Sequence, residues 1–172
     1  MSTDNIHTIT GEQGGDGVMA FVGSKMFNNL FASGMELVEE TALYLDEDGK
    51  SAARTLPREA ALAYAGLSMR LTTRLMQIAS WLLVLRALRD GEMTAEEASQ
   101  EKYRIGGNEG GALARNLTAG LPERMLALVE DTDTLYSRIT RLDREIFSPE
   151  EAREVEGDAA GQLAALRSAF PG

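Results

Sequence analysis

Pro57 to Gly91 reads PREAALAYAGLSMRLTTRLMQIASWLLVLRALRDG. This stretch has no internal proline and a single internal glycine, Gly66. Its residues are mostly strong helix formers, so it predicts one long central helix. At 1.5 Å per residue the helix would run roughly 50 Å. Two apolar seams climb it. One carries Leu62, Ala65, Met69, Met76, Ala79 and Leu83. The other carries Tyr64, Leu67, Leu71, Leu75, Ile78, Leu82 and Leu85. A helix that is apolar on one stripe packs against one neighbour, whereas a helix apolar on two sides is enclosed by several.

Shorter helices are predicted on either side. Ser24 is a good N-cap for a helix carrying Phe27, Leu30, Phe31, Val38, Thr41 and Leu45, with Leu37 and Tyr44 widening the stripe. Asp48-Gly49 stops it, and a loop from Asp48 to Thr55 turns the chain antiparallel into the long helix. Beyond Asp90-Gly91, Thr94 and Glu97 form a capping box that opens a short helix reaching about Tyr103. From Pro122 onward, Met125, Leu128, Thr132, Leu135, Ile139, Leu142 and Ile146 alternate spacings of three and four. That is the heptad seam of a bundle helix. The fold class is therefore all-α: an antiparallel three-helix bundle around one long central helix, expected as a homodimer.

The domain plan has three parts. Residues 1–20 are largely polar, carry the glycine-rich run GEQGGDG at 11–17, and read as a disordered N-terminal tail. Residues 21–147 form the helical bundle. Residues 148–172 are an acidic tail with Leu163, Leu166 and Phe170 at spacings of three and four. Those three side chains make one small face for a partner's groove, or a fourth helix docked on the bundle. Arg104 to Gly120 holds five glycines and reads as a long mobile loop.

Charge and composition narrow the function. The chain has 172 residues and a net charge of −10. That argues against binding a phosphate backbone or an anionic membrane surface. There is no cysteine, so thiol nucleophiles and cysteine-held metals are excluded. The one histidine, His7, lies in the polar N-terminal stretch with nothing nearby in sequence to orient it. No basic and apolar leader is visible, and the longest apolar run, Ile78 to Leu85, is far shorter than a membrane span. The expectation is a cytoplasmic protein with no cofactor and no metal.

Motif matches fail on context. Gly15-Asp-Gly17-Val-Met-Ala20 fits a dinucleotide pattern but follows no strand. Ser99-Gln-Glu-Lys102 lacks the partner motifs of a serine–lysine site. Glu36 and Glu40 stand one turn apart, but no helix supplies a histidine to complete a di-iron set. General acid–base chemistry needs matched groups in one cleft, and no such constellation is present, so the expectation is that the chain is not an enzyme.

Charge is also uneven. Between Pro57 and Asp90, five arginines face two acids, a net of +3 that leaves −13 for the rest of the chain. Pairing of this basic helix with the acidic helix before it is the simplest use of that asymmetry. Met69, Arg70, Leu71, Thr73, Arg74, Gln77, Ile78 and Trp81 mix polar and apolar groups within a few turns. They are the candidate dimer or partner interface, with the second seam between subunits.

Two stretches resemble a known family. One is Leu37-Val-Glu-Glu-Thr-Ala-Leu-Tyr-Leu-Asp46. The other runs from Ala60 to Thr94, with ALAYA, SMRLTTRLMQIASWLLVLRA and GEMT. Together they resemble the bacterial RcdA-like family, named for the regulator of CtrA degradation. The resemblance covers about Phe21 to Lys102. It implies a homodimeric three-helix-bundle subunit without catalysis. It also implies an adaptor that works with the ClpXP protease and response-regulator-type co-adaptors to deliver cell-cycle regulators, its protein cargo, for degradation. The alternative is a dimeric helical scaffold or response-regulator partner with no protease link.

Overall fold

The structure is a computed structural model that describes residues 9–106, 120–148 and 161. Those residues form helices and turns, with no strand among them. In chain order they are α1 (Ile9–Val22), α2 (Lys25–Asp46), α3 (Asp48–Ala53), α4 (Arg58–Arg89), α5 (Ala95–Ala98), a 3₁₀ turn (Glu101–Tyr103) and α6 (Glu123–Phe147).

The N-terminal reading needs correction. Ile9 to Val22 is a helix, not a disordered lead-in, and it packs against α2, α4, α5 and α6. Its four glycines weaken it locally, each by about 1 kcal/mol relative to alanine. Tertiary burial offsets that cost: Val18 and Val22 are each 1% exposed. Ser24 then serves two helices. Its hydroxyl donates to the Phe21 carbonyl at 2.6 Å and accepts from the Phe27 amide at 3.2 Å. Phe21 and Phe27 meet edge to face across this corner, with ring centres 5.7 Å apart. The cap foreseen at Ser24 is thus present, and it follows directly on a preceding helix.

The α2–α4 pair is antiparallel. Asn28 accepts from Arg89, while the far end of α2 brings Tyr44 to Tyr64. Gly34 sits where the two helices press closest: a Cβ there would lie 2.5 Å from a Leu82 methyl. The expected loop from Asp48 to Thr55 holds the one-and-a-half-turn helix α3. The far end of α4 closes as expected at Gly91, whose φ of +75° is the left-handed conformation glycine adopts without penalty. Glu92 and Gly91 donate back to Ala87 and Leu88, satisfying the last carbonyls of the helix.

α6 departs from the antiparallel plan. Arg74 reaches Asp133, and about two turns further along α4 and three along α6 Trp81 reaches Asp143. Residue numbers rise together on the two helices, so α4 and α6 are parallel. A parallel neighbour requires a connection as long as the helix itself, and Asp90 to Pro122 is that connection. It departs through α5 beside the end of α4 and returns at Gly120, next to Ala60 at its start. The capping box at Thr94 is formed, with both reciprocal bonds present. The helix it opens is one turn followed by a 3₁₀ turn, rather than one continuous helix.

The core lies between these four longer helices. From α2 it takes Phe27, Leu30 and Leu37, and from α6 Met125, Leu128 and Ile139. Trp81, Ile78, Leu82 and Leu85 of α4 are at its centre, each 2% exposed or less. The heptad positions of α6 face inward as read, Thr132 included.

Candidate functional site

α4 presents three different faces, and the eight residues singled out on it are divided among them. Leu71, Ile78 and Trp81 are buried in the core of the chain itself. The second seam, Tyr64 to Leu85, is covered by the chain's own helices. This corrects the expectation that it lies between subunits. Two seams on one helix were taken to need a second copy, but α1 supplies cover that the sequence reading had not assigned to it.

A second face of α4 meets α6 through polar groups. Arg74 has a side chain 11% exposed, lies 2.6 Å from an Asp133 oxygen and stands over the Tyr136 ring at 4.6 Å. The Tyr136 hydroxyl donates to the Gly106 carbonyl, tying the return connection to this seam, and Gln77 lies beside Gly106. Arg70 is half-buried next to Thr132 and Asp133. These polar residues are partnered inside the chain, as bundle polar groups that fix register are. The ion pairs at the end of α4 are not made with acidic α2. Arg86 and Arg89 pair with Asp90, and Glu40 of α2 is met by Arg124 of α6.

The most enclosed polar cluster was not legible in the sequence. Asp143 is 3% exposed. It accepts from the Trp81 indole N–H at 2.8 Å and from the Arg104 guanidinium at 2.8 and 2.9 Å. Arg104 also donates to the Asp143 carbonyl and stacks over Phe147 at 4.9 Å. The cluster thereby joins the end of α4, the connection and the end of α6. Nothing in the local pattern at Arg104 or Asp143 foreshadows a pairing across 39 positions.

Two groups have shifted acidities. Glu97 lies below the usual carboxylate range, because its carboxylate accepts from the Thr94 amide and hydroxyl. Tyr44 lies above its ordinary value near 10, because burial disfavours the phenolate and Tyr64 and Asp48 reinforce that. Neither belongs to a cleft with a matched partner. Among the described residues, no group of three or more His, Asp or Glu side chains is placed to hold a metal. Among them, too, no helix is long and apolar enough to cross a membrane.

The third face of α4 is exposed and apolar. Leu62, Met69, Met76 and Leu83, members of the first seam, are 68%, 74%, 68% and 48% exposed. Met76 therefore faces outward. Of the eight singled-out residues, Met69 belongs to this stripe and Thr73 lies exposed at its edge. Beside Met76 and Leu83 lies a shallow, open depression of about 490 Å³, lined also by Ala79, Ser80, Val84, Ala87 and Met93. The expected tail contact, Leu163, Leu166 and Phe170, lies outside the described residues, as do residues 1–8 and 107–119.

Comparison with known proteins gives this geometry a family. Residues 18–170 match the family described as "Protein of unknown function (DUF1465)". No curated protein matches the chain. Among solved structures, the crystal structure of RcdA from Caulobacter crescentus CB15 is similar, with 45% identity and a TM-score of 0.62. That similarity covers 75% of this chain and 97% of the Caulobacter chain. The match takes in helices well beyond the two stretches that first suggested it, and the chain belongs to the RcdA-like DUF1465 family.

Proposed function

We propose that the chain is a non-enzymatic adaptor that helps deliver cell-cycle transcription regulators to the ClpXP protease. It acts as a homodimer with response-regulator-type co-adaptors and protein cargo. The observation that carries this reading is the 45% identity to Caulobacter RcdA across 97% of that chain. The physical character of the molecule supports it. Among the described residues, the polar clusters hold helices together, and a continuous apolar stripe of α4 is exposed in a form suited to another helix. An acidic surface disfavours nucleic acid and leaves protein partners as the natural ligands.

Affinity capture tests the proposal. The tagged chain is mixed with purified ClpX, a response-regulator co-adaptor and a cell-cycle regulator from the same bacterium, and each is omitted in turn. An adaptor retains the cargo and joins ClpX through the co-adaptor. A chain that holds the response regulator but never ClpX is the protease-independent scaffold. A chain that retains none of them is neither.

A further inference from the structure

We infer that residues 159–170 of this chain form a helix that lies antiparallel along the exposed apolar face of α4 and withholds that face from partners until one displaces it. The C-terminal tail falls into two unlike halves. Residues 149–158 hold five acids and one arginine, whereas 159–170 hold no acid and one arginine. The second half has the marks of a helix. Asp158 is a good N-cap, the run AAGQLAALRSAF is rich in alanine and leucine, and Pro171 stops it. Ala159, Leu163, Leu166 and Phe170 step by four, three and four along one side. Gly161 stands about 170° round the helix from that side. It is helical and exposed, with nothing within 4 Å of where a Cβ would be. The segment is therefore apolar on one side and open on the other.

Position and size match this segment to α4. α6 runs parallel to α4 with Asp143 bonded to Trp81, so Ser148 lies about level with Arg86. The tail leaves the bundle at the end of α4 that carries the depression. That depression follows α4 from Met76 to Ala87, about 17 Å, and a helix over 159–170 is about 18 Å long. Laid antiparallel from the end of α4, it brings Leu163 level with Leu83, Leu166 with Ser80 and Phe170 with Met76. Methionine in the lining adapts its shape to such side chains. Residues 149–158 reach up to about 33 Å, enough to round a helix about 10 Å across. Their acids suit this end of α4, where Arg86 and Arg89 share the carboxylate of Asp90. A tether this short holds the helix at an effective concentration on the order of millimolar, well above that of a free partner. The recess between α1, α5 and the end of α6 is nearer, but it carries Glu96 and Ser99 and suits an apolar helix on an acidic tether less.

The test uses the full chain, which has no cysteine of its own. A variant carrying Ser80→Cys and Leu166→Cys is expected to be linked within one chain by a short bismaleimide. The link should form severalfold faster than in a variant carrying Leu43→Cys, on the exposed side of α2, with Leu166→Cys. Equal rates overturn the docking. Links that form only between chains, when the two single variants are mixed, give the face to the tail of a second copy and overturn it as well. A second readout needs no cross-link. Methionine methyl NMR spectra of the full chain are compared with those of a variant combining Leu163→Ser, Leu166→Ser and Phe170→Ser. Met76 and Met93, which line the depression, are expected to shift, and Met26, exposed on α2, to stay in place. Unshifted Met76 and Met93 overturn the proposal. So do shifts that follow dilution of the wild type instead of the tail substitutions, since they assign the face to a second copy.

Discussion

Asp143 shows how much of the fold can hang on one side chain. It is enclosed by Trp81 from α4 and Arg104 from the connection, and those are its direct polar partners in the seam. Replacing it by alanine leaves a guanidinium and an indole N–H without their acceptor. Breaking one side of a buried pair costs about 3–5 kcal/mol, much more than an exposed pair would. Urea unfolding of Asp143→Ala should show a loss of that size, and a loss below about 1 kcal/mol would mean that solvent reaches Arg104 freely. Sequence reading could not find this cluster. Helical periodicity reports which residues face inward, and Asp143 at an inward position of α6 reads as an exception until Arg104 is placed beside it. At the same scale, Leu71, Ile78 and Trp81 were read as a dimer or partner interface and are buried in the core of the chain itself, because an apolar period does not say which protein covers it.

At the scale of elements, α2, α4 and α6 were legible because each carries an uninterrupted apolar period with a cap or stop at its ends. Ser24 opens α2 and Gly91 closes α4 as their chemistry predicts, and Thr94 likewise opens α5. α1 was not legible. Its four glycines give a local signal against helix, and the packing of Val18 and Val22 that reverses the balance is non-local. The parallel setting of α6 was equally hidden, since a long glycine-rich connection reads only as a loop until its two ends are located. The helical status of α1 has a direct consequence. Deleting residues 1–22 uncovers the sites of two nearly fully buried valines, each worth about 1.5–3 kcal/mol. The urea midpoint should fall accordingly, by the equivalent of roughly 3–6 kcal/mol. An unchanged midpoint would return this segment to the status of a tail.

For the whole molecule, the assignment of faces on α4 links structure to role. One face builds the core, one fixes α6 through Arg74 and Asp133, and one is apolar and exposed. A long helix held on two sides and exposed along an apolar third side is what the adaptor proposal asks of it. The most direct measurement is the rate at which purified ClpXP degrades a cell-cycle regulator, with its response-regulator co-adaptor present, before and after this chain is added in stoichiometric amount. The account predicts that the chain speeds degradation severalfold and is not itself consumed. A rate unchanged by the chain, together with no binding to co-adaptor or cargo, would contradict it.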